Sequence, residues 1–481
     1  VFKVPSLTSK AISAIAASFL IAIFVSVVDI VAGLPLAWFI VRGRSKWLSV
    51  IDTLADIPFI VPTVTLGYSL NLFWHGSQDI SSPFGGSIIS PGWLLIILLH
   101  FAFSYPVVVR VLVGALLDYK PEYEYAARTL GAPPLTADRT VTLPIIKPSL
   151  IAAFILAFAR SISETGATFM VAGSFQNGAV FIQQMKEDFN NGLESQARYE
   201  GSMVFASLVL IIFSCAILIV TRLLSSRLKL PLKRVWPSTE KKLSGFGLAK
   251  TRNFLTLLVF FSLIIIPSLF VAFHASYAVV TGDLGRAISG LKPWEGYWLS
   301  LLLSYFVAFV AMLVNIVIGL PMAIVVARKR LGYGPSNILD ALVDIPIIVP
   351  SVALGASLSI FWSNFAVIPE LWVLIFAHVS ITYPYFVRAM AAAIERIPND
   401  LEEASRILGA RPFTVFRTVI LPLTKYSLFS GAIIMFTRSV AETGATFAVL
   451  PTGSKLKTTP VLLYEWVKGL TSSPPPARSL E

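Results

Sequence analysis

Residues 160–169 read RSISETGATF and residues 438–447 read RSVAETGATF, two strings that differ only at Ile162 against Val440 and Ser163 against Ala441. Upstream, Leu143-Pro144 is matched by Leu421-Pro422, AARTLGA at 126–132 by ASRILGA at 404–410, and Tyr105-Pro106 by Tyr383-Pro384. From Tyr105 to Tyr383 is 278 positions, and the other pairs keep that spacing. Farther out the offset changes but the order holds: DIPFIVP at 56–62 pairs with DIPIIVP at 344–350, and GLPLA at 33–37 with GLPMA at 319–323. A repeat kept in this order is one structural unit written twice. The expected organisation is a first repeat over 1–224, a basic linker over 225–252 and a second repeat over 253–481. The two copies run in the same direction and should form a pseudo-two-fold dimer.

Composition says what kind of unit is repeated. Of 481 residues, 56% are apolar and 13% charged, and the mean hydropathy is +0.78. Soluble domains carry about 45–50% apolar and about 25% charged residues, so most of this surface must face something other than water. Ten stretches reach the roughly 20 apolar residues that cross a bilayer as a helix: 12–41, 48–74, 91–117, 149–174, 202–224, 253–275, 298–327, 337–362, 371–394 and 427–450. A β-barrel would show short alternating segments instead. The expected fold is therefore an all-α polytopic membrane protein built from two homologous helical bundles embedded in the lipid bilayer.

Orientation follows from Lys and Arg. The basic loops at 42–46 and 328–330 and the stretch from Arg222 to Arg252 belong in the cytoplasm by the positive-inside rule. Alternating outward from them also places 118–148 and 395–426 inside, and 175–200 and 276–297 outside. The net charge of +12 is thus topological and gives no indication of a nucleic-acid partner. The halves are offset at their ends, because 253–275 has no counterpart before residue 1 and 202–224 has none after residue 450. Twelve spans are expected in a longer natural chain.

The repeated cytoplasmic segment carries the clearest chemistry. It reads YAARTLGAPPLTADRTVTLP at 125–144 and EASRILGARPFTVFRTVILP at 403–422. Ala-rich turns favour a short helix, and a following Gly can end it. Such a helix lying across the bundle fits a partner's groove. The segment resembles the EAA loop of the permeases of type I ABC importers, with pattern E-A-A, three residues, Gly, nine residues, I-x-L-P. Ala126, Ala127, Gly131, Val141, Leu143 and Pro144 match, as do Glu403, Ala404, Gly409, Val419, Leu421 and Pro422. Tyr125 stands where the pattern has Glu, with Glu124 one residue before it and Glu402 equivalent in the second copy. Ser405 replaces the second Ala. The resemblance implies that Glu124, Tyr125, Ala126, Ala127, Gly131, Glu402, Glu403, Ala404, Ser405 and Gly409 couple the chain to two copies of an ABC ATPase subunit. It also implies an extracytoplasmic substrate-binding protein. The sequence contains no Gly-Lys dipeptide and hence no P-loop, so ATP and Mg belong to the partner and the chain is not an enzyme by itself. A plasma (inner) membrane location follows.

Within the bilayer, Arg160/Glu164 and Arg438/Glu442 are spaced i,i+4, which brings side chains together on one helix face. They lie about 20 Å along their spans. Ionisable groups at that depth usually face the bundle interior and mark pathways; a self-neutralised structural pair is the alternative. Thr165, Thr168, Thr443 and Thr446 follow directly, either on the same path or as close-packing small residues. Asp56 and Asp344 precede proline-broken segments and read first as structural, and Tyr105 and Tyr383 as kinks or gates. His100 and His378 lack partners at ligand spacing, and no metal site is expected. With one cysteine, Cys215, no disulfide framework is possible.

The strings around Arg160 and Arg438, and TPVLLYE at 459–465, resemble sulfate, molybdate and tungstate permeases. The fusion of two halves is typical of ferric-iron and thiamine importers. An oxyanion suits a path lined by two arginines, and a secondary transporter with parallel repeats is the alternative of another class.

Overall fold

The computed structural model describes residues 5–43, 45–76, 82–227, 237–290, 294–365, 367–451 and 453–469. Every long regular element among them is a helix. The first half runs α1 (Pro5–Arg42), α2 (Trp47–Leu54), α3 (Ile57–Ile60), α4 (Thr63–Trp74), α5 (Trp93–Asp118), α6 (Glu122–Thr129), α7 (Pro134–Ser163), α8 (Gly166–Val171), α9 (Gly178–Asn190) and α10 (Gln196–Arg227). The second continues with α11 (Pro237–Leu243), α12 (Leu248–Phe273), α13 (Asp283–Ser289), α14 (Tyr297–Ala327), α15 (Tyr333–Ile348), α16 (Ser351–Ser363), α17 (Glu370–Glu395), α18 (Asn399–Ile407), α19 (Pro412–Val440), α20 (Gly444–Val449) and α21 (Thr459–Val467). Eight of these helices are long and apolar enough to span a membrane, and two bent pairs bring the total to ten. Of the expected linker, 228–236 lie outside the described residues, and the chain is already helical from Pro237.

The two bent pairs are equivalent and have the same cause. Helices α2–α3 and α4 meet at 105°, and α15 and α16 at 106°. The turn falls at Val61-Pro62 and Val349-Pro350, where both valines are extended (ψ 129° and 131°). A proline's ring disfavours the helical conformation of the residue before it, so the second proline of each DIPxIVP motif breaks the helix and bends the chain sharply.

Two expected spans are corrected. Segments 149–174 and 427–450 are not continuous helices: the rods α7 and α19 start far earlier and stop at Ser163 and Val440, before the short α8 and α20. The breaks occur because Glu164 and Glu442 leave the helix and cap the next one, accepting the amide N–H of Ala167 at 2.8 Å and of Ala445 at 3.0 Å. Nor does the Leu-Pro dipeptide redirect the chain. Pro144 and Pro422 lie within the rods, directly after wide π turns at Asp138–Thr142 and Phe416–Ile420. Proline has no N–H and crowds the carbonyl four residues back, so the turn before it opens to a wider hydrogen-bond spacing. The chain is redirected earlier, at Gly131 (φ +93°) and Gly409 (φ +87°), a conformation that Gly adopts without a Cβ clash.

The leading span of the second half docks on the first. Ser69 donates to the carbonyl of Pro267 at 2.7 Å and accepts the N–H of Val271 at 3.0 Å. Phe270 packs edge-on against Phe73, and the Phe260 ring lies tilted beside Tyr105. Conversely, α10 packs on α15 and α16. Each half thus lends a helix to the other, and one buried apolar cluster runs from Ala11 through Phe260 to Ala356 and Tyr464. The outer faces stay apolar: Leu299, Leu302 and Val317 of α14 are about 70% exposed, as lipid-facing side chains should be.

Candidate functional site

The halves touch where the two ETGATF strings lie. Inside each half, an imidazole bridges α7 to α8 or α19 to α20. His100 meets Ser161 at 2.8 Å and Thr168 at 2.9 Å; His378 meets Ser439 and Thr446 at the same two distances. Thr168 and Thr446, path candidates from the sequence, are therefore spent on braces within their own halves. Gly67 and Gly355 allow the re-entrant helices to press on α8 and α20: a Cβ on either would lie 2.6 Å from the backbone of Ala167 or Ala445. Between the halves, the hydroxyls of Thr165 and Ser351 hydrogen-bond at 2.7 Å. Gly166 abuts Thr443, and Gly444 abuts Thr165.

On the cytoplasmic side of this contact lies a cavity of about 590 Å³, lined from both halves. Asp56, Phe59, Thr63, Arg110 and Arg160 come from the first half, and Tyr385, Thr437 and Arg438 from the second. Arg160 and Arg438 are thus brought to one space. Their carboxylate neighbours do not behave alike. Arg438 pairs with Glu442 at 2.7 Å, as the spacing implies. Arg160 makes no ion pair with Glu164; its guanidinium stacks on Phe103, 3.8 Å from the ring centroid, with Phe59 at 5.3 Å. Tyr105 is buried, its hydroxyl donating to the carbonyl of Ala32 at 3.3 Å, and neither it nor Tyr383 lines the cavity. Helices α5 and α17 run unbroken through Pro106 and Pro384. The tyrosine that reaches the cavity is Tyr385, whose first-half equivalent, Val107, carries no hydroxyl to signal it.

The repeated cytoplasmic segments form α6 and α18, each anchored by a buried carboxylate. Glu124 pairs with Arg42 at the end of α1 (2.9 Å), and Glu402 with Arg328 just past α14 (2.8 Å). Tyr125, Ala126, Glu403 and Ala404 face outward. Beyond them, Leu130, Ile407 and Leu408 are 85–90% exposed, an apolar tip on each segment beyond the end of its bundle.

A duplicated unit of this topology has a family counterpart. Residues 29–230 and 315–462 match the family described as the binding-protein-dependent transport system inner membrane component. The chain belongs to this family. It is a multi-pass inner-membrane permease of the ABC importer class, and the permease is not the catalytic subunit of such a system. The sulfate transport system permease protein CysT of Salmonella typhimurium is 31% identical over 218 residues, 43% of this chain and 75% of that protein. The molybdate/tungstate transport system permease protein WtpB of Pyrococcus furiosus is 31% identical over 174 residues, 36% of this chain and 68% of that one. A Haemophilus influenzae protein named as a ferric transport system permease, FbpB 1, is 24% identical over 441 residues, 88% of this chain and 68% of its own.

Two features of the permease go beyond the sequence reading. The structural role read for Asp56 and Asp344 is an ion pair to an arginine. Asp52 and Asp56 grip Arg110 (2.7 and 2.5 Å), and Asp340 and Asp344 grip Arg388, the latter at 2.6 Å. These forks tie each bent pair to the long helix before the repeated cytoplasmic segment. Arg110 and Arg388 are themselves 278 positions apart, a repeat-matched charge that could have been found. The other feature is Lys186 of α9, whose buried ammonium donates to the carbonyls of Phe447, Ala448 (3.2 Å) and Leu450 (2.7 Å) in the opposite half. Burial pushes this lysine down to about 7. Beside it, Phe169, Phe447 and Tyr464 pack ring on ring at 5.7–6.3 Å, and Tyr464 donates to Glu187 at 2.8 Å. These contacts join the halves on the far side of the ETGATF contact from the cavity.

Proposed function

We propose that this permease moves an oxyanion of the sulfate, molybdate or tungstate class, driven by ATP hydrolysed on two copies of a separate ABC ATPase. An extracytoplasmic binding protein would deliver the anion. The observation that carries the reading is the pair of guanidiniums, Arg160 and Arg438, lining one cavity between the halves. Buried cations are costly in a membrane and persist where a pathway needs them. Ferric transport is the second reading, favoured by the relative that spans 88% of the chain. Against it, among the described residues no group of three His, Cys, Asp or Glu could hold a metal ion, and the cavity's Asp56 is held by Arg110.

Coupling through α6 and α18 is supported by their geometry. Each is a short amphipathic helix with a buried anchor on its own bundle and an exposed apolar tip, the form a groove on a partner accepts. Closure of the ATPase dimer would draw the two tips together and, through the rods α7 and α19, open the outer side. The test is uptake into proteoliposomes holding the permease, its ATPase and its binding protein. ATP-dependent accumulation of radiolabelled sulfate, molybdate or tungstate supports the reading; accumulation of ferric ion or thiamine with no oxyanion flux rejects it. Uptake without any ATPase would reassign the chain to secondary transport.

A further inference from the structure

The two halves are similar in sequence but their arginines are not held alike, and the difference is written in the repeat. Arg160 lies on Phe103 and Phe59; at the matched positions the second half has Ile381 and Ile347. An aromatic face offsets the burial of a cation without cancelling its charge. With no such shelf, Arg438 takes the carboxylate of Glu442 at 2.7 Å. The remaining acid, Glu164, spends an oxygen on the amide of Ala167 and forms no ion pair with Arg160. Arg438 has a paired carboxylate and Arg160 has none, so the less compensated positive charge sits on Arg160; the Nε of both guanidiniums lacks a hydrogen-bond partner.

We propose that Arg160 is the one anion-binding side chain of the translocation path, so that the cavity between the halves seats a single oxyanion on the first-half side. This deepens the oxyanion reading and rests on it. Tyr385 lines the same cavity as both guanidiniums, and its phenolic O–H is a donor for the anion. The hydroxyl of Thr437 lines the same space. A guanidinium fork plus hydroxyl donors suits a tetrahedral oxyanion. The absence of a second uncompensated cation keeps the seat weak enough for release.

The experiment compares Arg160→Gln, Arg160→Lys and the double variant Arg438→Gln/Glu442→Gln, each assembled with ATPase and binding protein. One readout is initial uptake of radiolabelled sulfate per ATP hydrolysed. The other is the rise in unfolding temperature of the purified permease with millimolar molybdate, taken relative to the same concentration of chloride, since a ligand of the native state stabilises it by mass action. Arg160→Gln is expected to lose at least about tenfold in uptake per ATP, the worth of one charge-assisted hydrogen bond, together with the molybdate-specific shift. Arg160→Lys should keep part of both, and the double variant should lose less than Arg160→Gln. The proposal is overturned if wild type carries oxyanion and Arg160→Gln does so equally well, or if the double variant loses as much. Wild type that carries no oxyanion at all overturns the underlying reading instead.

Discussion

Gly166 of the first half and Thr443 of the second stand so close that a Cβ on Gly166 would lie 2.8 Å from the Thr443 Cβ. Gly444 meets Thr165 and Ser351 in the same manner. The contact is reciprocal, as a two-fold interface must be. Overpacking a tight contact costs about 1–3 kcal/mol, so Gly166→Ala should lower the unfolding temperature of the permease. Adding Thr443→Gly removes the opposing Cβ and should restore most of the loss. A double-mutant cycle that comes out additive would show that the two residues do not press on each other.

The repeated cytoplasmic segments separate two positions that the motif alone merges. Glu402 and Glu124 are buried anchors, whereas Glu403 and Tyr125 face outward. Removing one partner of a buried ion pair costs about 3–5 kcal/mol, an upper range here because Arg42 and Arg328 keep some exposure. Glu402→Ala should therefore leave α18 loosely held: ATPase still co-purifies, but uptake per ATP falls. Glu403→Arg should act in the opposite way, weakening co-purification without changing the permease's unfolding temperature. Equal effects of both substitutions on unfolding temperature would refute the division.

How far the sequence carries can be judged from these residues. The duplicated bundle, the repeated cytoplasmic helices and the equivalence of Arg160 with Arg438 were legible, because hydropathy, loop charge and the 278-position repeat are local signals. The broken spans were not. Glu164 and Glu442 read as membrane charges, and only the backbone shows that each ends a rod by capping the next helix. The exchange of α10 and α12 between halves was equally hidden, since any apolar helix can pack on either bundle. The i,i+4 rule held for Arg438 and failed for Arg160, where two aromatic rings offered a site that no carboxylate needed to fill.

The exposed apolar tips make a sharper prediction about the partner. Leu130 and Leu408 occupy matched positions and bury almost nothing within the permease. Surface changes away from packing usually shift stability by less than about 0.5 kcal/mol, while loss of an interface anchor costs about 2 kcal/mol or more. Leu408→Asp should therefore leave the isolated permease as stable as wild type and lower its affinity for the ATPase by about thirtyfold. The check is a pull-down titration with purified ATPase; unchanged affinity in Leu130→Asp/Leu408→Asp would move the docking surface elsewhere.

Lys186 links the outer closure to pH. Burial holds it near 7 in the closed arrangement, against an ordinary value of 10.5, so burial costs the ammonium more than its three carbonyl partners return. The nearest acid, Glu187, is engaged by Gln183 and Tyr464. If the outer side opens, Lys186 is hydrated and its ordinary value is restored, so opening takes up a proton between pH 7 and about 10. Raising pH through that window should favour the closed arrangement, by at most about tenfold per pH unit for one proton; below 7 both arrangements carry the charge and the dependence flattens. Spin labels at Leu193→Cys and Lys455→Cys, in a Cys215→Ala background, would follow the separation across the outer side. Lys186→Met should abolish the pH dependence, and a separation that widens from pH 7 to 9 in the wild type would contradict the sign.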